Sequence, residues 1–217
     1  MSKKISDIKK EFETAGNEKL LELFEQYAED SRAGVSGLIK QYQKKLERLE
    51  KERERLEQMR KYEHQYENMG YVCGIDEAGR GPLAGPVVAG AVILPEGCEI
   101  LWLNDSKQLS EKKREELYDE ILDKAVAAEV GIVGPGRIDE INILQATYEA
   151  MREAVGKLAV RPQVLLNDAV TIPDMDIFQV PIIKGDAKSL SIAAASVLAK
   201  VTRDRLMKEY DKLLPEY

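Results

Sequence analysis

Apolar and polar positions divide the chain into two unlike parts near Gly70. In residues 1–70 the apolar side chains are sparse and helically spaced. Leu20, Leu21, Phe24 and Tyr27 mark one amphipathic helix, closed by a Ser31-Arg32-Ala33-Gly34 break. Ile39, Tyr42, Leu46, Leu49 and Leu56 then recur at three-four spacing, interrupted by Arg53, which predicts one long helix with a narrow apolar seam. The expectation is a small helical hairpin or bundle with a coiled-coil-like arm. From Tyr71 onward, short β-rich runs alternate with helical stretches. Strands are expected over 71–76, 87–94, 129–133, 164–168 and 177–183. Helices are expected from Ser110, with Glu111 in the first turn, to about Val126, then over 141–158 and 189–214. The fold class read from this order is α/β: a mixed central sheet flanked by helices over 71–217, preceded by an all-helical domain over 1–70.

Composition narrows the chemistry. The chain has 217 residues, enough for one sizeable core with an appendage. It has no apolar run approaching 18 residues and no apolar stretch behind Met1, so the expectation is a cytoplasmic protein that does not enter membranes. Cys73 and Cys98 are its only cysteines, too few for a disulfide framework or a cysteine zinc site. His64 is the only histidine and lies in a charged stretch of the helical part, which excludes a Ser-His-Asp triad, a Cys-His pair and an HExxH zinc site from the α/β part. If the chain is an enzyme, carboxylates carry the chemistry, through a hard cation such as Mg²⁺.

The net charge of −7 argues against binding nucleic acid by bulk electrostatics. Residues 1–70 are balanced at 15 basic and 15 acidic residues, so the deficit belongs to the α/β part. A nucleic acid must then be held by locally placed basic groups and by metals. The stretch from Lys40 to Lys61 is locally basic; it reads as a solvated helix with i,i+4 pairs or as an auxiliary nucleic-acid clamp.

The most informative segment is Val72-Cys73-Gly74-Ile75-Asp76-Glu77-Ala78-Gly79-Arg80-Gly81-Pro82. Two adjacent carboxylates at the end of a buried strand repel each other, and a divalent cation relieves that repulsion. The Gly-Arg-Gly turn beside them can bring backbone N–H groups and a guanidinium to a phosphodiester. Gly79, Gly81 and Gly85 do not make a dinucleotide fingerprint, because Pro82 and Pro86 interrupt the stretch and strand follows where a helix is needed. Asp168 closes the apolar run Val164-Leu165-Leu166-Asn167, with period-two alternation placing Asn167 on the opposite, outward face. Asp204 lies late in the last helix. Taken alone, Asp168 is a turn former and Asp204 an i,i+4 partner of Lys200.

Several of these motifs, in one consistent order, resemble bacterial ribonuclease HII. They are residues 74–87, Asn104-Asp105-Ser106-Lys107, Leu165-Leu166-Asn167-Asp168, and Lys184-Gly185-Asp186-Ala187-Lys188-Ser189 running on to Thr202-Arg203-Asp204. The resemblance spans 71 to about 214. It implies an RNase H-like fold and a metal site of four carboxylates, Asp76, Glu77, Asp168 and Asp204. It also implies that Gly79, Arg80 and Gly81 read a ribonucleotide 2′-hydroxyl at an RNA–DNA junction; Arg80, where type HIII enzymes carry lysine, favours type HII. Members of that family continue beyond the position of Tyr217, so the expectation is a catalytic domain incomplete at its C-terminus.

The activity implied is hydrolysis of the phosphodiester 5′ of a ribonucleotide, in RNA/DNA hybrids or duplex DNA containing ribonucleotides. Two Mg²⁺ or Mn²⁺ ions would assist it, leaving a 3′-hydroxyl and a 5′-phosphate. Lys107 and Lys184 are candidates for phosphate contacts, and Ser106 is a further substrate-binding candidate. No obligate protein partner is evident. The competing readings are a non-catalytic nucleic-acid-binding or helical interaction protein, and a different nuclease built on the same acids.

Overall fold

A computed structural model describes residues 3–214. The chain forms two compact units, one ending at Arg55 and the other beginning at Leu56. The first contains α1 (Ile5–Thr14), α2 (Asn17–Gln26) and most of α3 (Ala33–Met59). Its core is aromatic: the Phe12 ring lies 5.3 Å from Tyr42, 6.0 Å from Phe24 and 6.2 Å from Tyr27, centroid to centroid. Ile8, Leu20, Leu23, Val35 and Leu38 close around it. The buried seam of α3 here is Val35, Leu38 and Tyr42; Ile39 is only partly covered. The helix α1 had no counterpart among the expected elements, since Ile8 and Phe12 are isolated apolar positions in a charged run.

The second unit is a five-stranded sheet in the order β3-β2-β1-β4-β5, with α4 (Lys61–Tyr66) ahead of it. The strands are β1 (Val72–Ala78), β2 (Val87–Ile93), β3 (Ala127–Val133), β4 (Val164–Asp168) and β5 (Phe178–Ile182). The β1-β2 and β2-β3 pairs are antiparallel, whereas β1-β4 and β4-β5 are parallel. Because β1, β4 and β5 run the same way, their C-terminal ends share one edge of the sheet.

Both faces are covered. The helix α6 (Pro135–Lys157) packs through Ala146, Ala150, Met151 and Ala154 against Ile75, Ala89, Ala91 and Leu165. On the other face, α7 (Leu190–Leu213) and α5 (Glu111–Lys124) enclose a second core with Ile100, Leu103, Leu117, Ile121, Ala194 and Leu198. The helix α7 approaches unusually near because β1 and β2 present glycines to it. A Cβ on Gly74 would stand 2.1 Å from the Ser191 carbonyl carbon, and one on Gly90 2.4 Å from the Ala195 carbonyl oxygen. Serine N-caps begin the two helices: Ser110 accepts from the Lys113 N–H and Ser189 from that of Ile192. A break at Asn142 (φ 68°) explains why the pattern predicted α6 only from Ile141. The helix starts at Pro135, and the Asn142 carboxamide oxygen caps its second part by accepting from the Leu144 and Gln145 N–H groups.

Covering both faces overturns one expectation. Asn167 does not face outward; it is fully buried, and its Nδ2 donates to Gln179 Oε1 at 2.8 Å. Alternation gave its side of the strand correctly, but that side lies on the face that carries α6.

Candidate metal centre

The parallel arrangement sets the site. Asp76 sits near the end of β1 and Asp168 ends β4, each one residue beyond Ile75 and Asn167, the last positions at which β1 and β4 pair with each other. After β5 the chain turns through Lys184, in the left-handed region at φ 57°, into a short 3₁₀ turn, Gly185–Ala187, that carries Asp186. Asp76, Asp168 and Asp186 each contribute an oxygen, and these oxygens lie within 4.8 Å of one another. Asp76 is 5% exposed and Asp186 8%. The Gly185 N–H donates to Asp168 Oδ1 at 2.7 Å, tying the turn to the end of β4.

Three carboxylates this close cannot all stay ionised without a compensating charge. Burial, then the neighbouring Glu77 and Asp168, pushes the Asp76 carboxyl well above its ordinary value. Burial also raises Asp186, assisted by Asp105 and Asp168 and opposed by Lys107. Glu77 is raised by burial, while Arg80, 3.2 Å away, pulls it down. The donors are all hard oxygens converging from three separate elements, and such a set fits a hard divalent cation.

The site residues expected from the sequence fall in different places. Asp76 and Asp168 belong to the group, and Glu77 faces it closely enough that Asp168 raises its carboxyl. Asp204 is not in that group; it pairs with Lys200, one turn back on α7, and with Arg114 at 3.5 Å. Asp186 fills the position the sequence reading missed. Its signal was an acid past a strand end, a placement it shares with Asp76 and Asp168, but it lies four residues beyond β5. Ser106 is buried, its Oγ accepting from Ser196 Oγ at 2.8 Å, and Ser196 lies near enough to Asp76 to draw its carboxyl down. Lys107 and Lys184 are exposed. Lys107 lies near enough to hold down the Glu77 and Asp186 carboxyls.

Between β1 and β2 the loop turns at Gly79 (φ 104°), passes the exposed Arg80, Gly81 and Leu83, and returns through Gly85 (φ 86°). A cavity of about 360 Å³ opens at the other end of the sheet, beside Tyr71, Leu94 and Cys98, and includes none of the three acids.

A mixed sheet with an acidic edge at the ends of its parallel strands, flanked by helices, defines an RNase H-like protein. The solved ribonuclease H2 of Pyrococcus horikoshii superposes with a TM-score of 0.57 at 32% identity, over 65% of this chain and 76% of that one. Residues 73–217 match the family described as Ribonuclease HII, and residues 4–67 match its N-terminal domain. Curated ribonuclease HII proteins from Lachnoclostridium phytofermentans and Clostridioides difficile are 60% and 51% identical. They align over 100% and 99% of this chain, and over 85% of each relative. The chain belongs to the ribonuclease HII family.

Proposed function

We propose that this chain, a ribonuclease H endonuclease by family, cuts the phosphodiester on the 5′ side of a ribonucleotide. The substrates are RNA/DNA hybrids and duplex DNA containing ribonucleotides, and the cut leaves a 3′-hydroxyl and a 5′-phosphate. The observation that carries the reading is the convergence of three acids from three elements at one edge of the sheet, with Asp76 and Asp186 buried and Asp168 half-buried. Asp76, Asp168 and Asp186, with Glu77 beside them, are the residues that would hold divalent cations, Mg²⁺ or Mn²⁺. Two such ions supply Lewis acidity at the phosphate and an activated water.

The remaining roles belong to the chain's own groups. Gly81 is surrounded by open space: a Cβ there would meet nothing within 4 Å. The fold itself therefore does not require glycine at 81, and the requirement falls on whatever docks against the loop. Backbone atoms of Gly79–Gly81 can then reach a 2′-hydroxyl, the group that separates RNA from DNA at one position. Arg80, exposed and paired with Glu77, can turn to a phosphate, and Lys107 and Lys184 stand at the same edge to take others. Asp204, engaged by Lys200 and Arg114, acts as a structural counter-charge. The helical unit is proposed as an accessory to substrate binding, supported by the basic stretch from Lys40 to Lys61. No helix among the described residues is long and apolar enough to cross a membrane.

The test is nicking of a duplex that contains one ribonucleotide, with Mg²⁺ or Mn²⁺ added. Activity in the native chain that is lost in Asp76→Asn and Asp186→Asn supports the reading. Equal inertness of all three proteins with both metals, or equal cutting of an all-DNA duplex, refutes it.

A further inference from the structure

Arg203 occupies α7 one residue before Asp204, yet it does something different. It is 7% exposed, and its guanidinium points at the β1-β2 loop: Nε donates to the Pro86 carbonyl at 2.9 Å and Nη2 to the Ala84 carbonyl at 2.8 Å. Both partners are backbone oxygens on the returning limb of the loop, not carboxylates. Taking a guanidinium out of water without a paired anion is unfavourable, so a plain loop would be held better by neutral groups. What the guanidinium offers is a rigid planar fork, which fixes two acceptors relative to one another.

The glycines of the loop are shaped to this side chain. A Cβ on Gly79 would fall 2.6 Å from Arg203 Nε and 2.5 Å from the Pro86 oxygen. A Cβ on Gly85 would fall 2.3 Å from Met207 Sδ and 3.2 Å from Arg203 Nη2. The arginine thus occupies the volume that a side chain at 79 would need, and with Met207 it bounds the space at 85. Its fork touches the first residue of the Gly79-Arg80-Gly81 turn, while the tip of the loop stays exposed, with Leu83 fully in solvent. The base of the loop is clamped and its tip is presented. The clamp sits on α7, the helix packed directly on β1 at Gly74, two residues before Asp76, so one rigid element references both the loop and the acids.

We infer that Arg203 is a positioning residue for ribonucleotide selection, holding the Gly79–Gly81 backbone at the distance from the acidic edge where a 2′-hydroxyl is read. This rests on the proposed function above. It does not touch substrate; it acts through the loop, where a displacement of about 1 Å is enough to lower a rate on the order of a hundredfold.

The experiment uses the full chain and three variants, Arg203→Lys, Arg203→Ala and Gly85→Ala. Lysine keeps the charge and the stem but cannot hold both carbonyls, and Gly85→Ala crowds Met207 and the fork together from the loop side. Measured for each are kcat and KM on a duplex with one ribonucleotide, cutting of the same duplex in all-DNA form, and the rise in Tm on adding Mn²⁺, read from Trp102 emission. The expected result is a Mn²⁺-induced rise equal to the native one in Arg203→Lys, with preference for the ribonucleotide duplex reduced at least tenfold, mainly through kcat. Native preference in a folded Arg203→Lys protein overturns the inference, as does an equal loss on both substrates. Loss of the fold in all three variants also overturns it, by reducing Arg203 to a stability element. An inert native chain refutes the functional reading instead, so the two failures are distinguishable.

Discussion

Asp186→Asn separates the two candidate ligand sets, because the acid that converges with Asp76 and Asp168 is Asp186 and not Asp204. At the 4.8 Å limit of the cluster, two full negative charges repel by about 3.5 kcal/mol at an effective dielectric constant of roughly 20. Protonation relieves part of this in the metal-free protein, since Asp76 and Asp186 are both raised. Removing one charge should therefore stabilise the metal-free fold, by about 1–2 kcal/mol after that relief. For a chain of this length that is a rise of roughly 2–8 °C in Tm. Metal should reverse the order. At a concentration 100 times its Kd, a cation stabilises the native chain by about 2.7 kcal/mol, or roughly 5–11 °C. A hundredfold weaker site in Asp186→Asn leaves only about 0.4 kcal/mol at the same concentration. The assay is thermal unfolding of EDTA-treated protein with and without Mn²⁺, followed by Trp102, the only tryptophan and a residue of the sheet-bearing unit. A full metal-induced rise in Asp186→Asn together with its loss in Asp204→Asn would refute the ligand assignment.

Three other outcomes are expected. Asp76, Glu77 and Asp186 are raised in the fold, so the folded metal-free chain binds more protons than the unfolded one, and its stability falls as pH climbs from the ordinary carboxylate range through the raised values. His64, raised chiefly by Glu67, contributes with the same sign, so flattening of the Tm-versus-pH curve by Asp76→Asn, in EDTA, isolates the acids. Gly81→Val should fold normally, because space is open there, but lose ribonucleotide preference more than metal-induced stabilisation; a normal preference contradicts the loop's role. Deleting residues 1–55 should leave the sheet-bearing unit folded. Deleting 1–70 should destabilise it by roughly 3–6 kcal/mol, through loss of the buried Leu56 and Met59, as read by urea unfolding; equal midpoints for the two deletions would contradict this. The longer deletion also removes Glu63, which accepts from Ser189 Oγ, Ser191 N and Ser191 Oγ at the start of α7.

Local pattern was enough for most of the elements. The apolar runs of β1 and β2, the proline and glycine breaks between them, and the serines that open α5 and α7 are short-range signals, and each element formed where its own residues asked for it. Asp168 reads locally as a turn former and joined the set only through the family resemblance, but Asp76 and Glu77, adjacent acids ending an apolar strand, were legible for the same reason. The identity of the third converging acid was not. Asp186 and Asp204 are both single acids in polar surroundings, and no local spacing separates them. The parallel pairing of β1, β4 and β5 brings the turn after β5 to the acidic edge, whereas Asp204 stands farther along α7 beside two cations. Asn167 shows the same limit. Alternation assigns a side chain to one face of a strand, but whether that face meets water or a helix depends on chain that is remote in sequence.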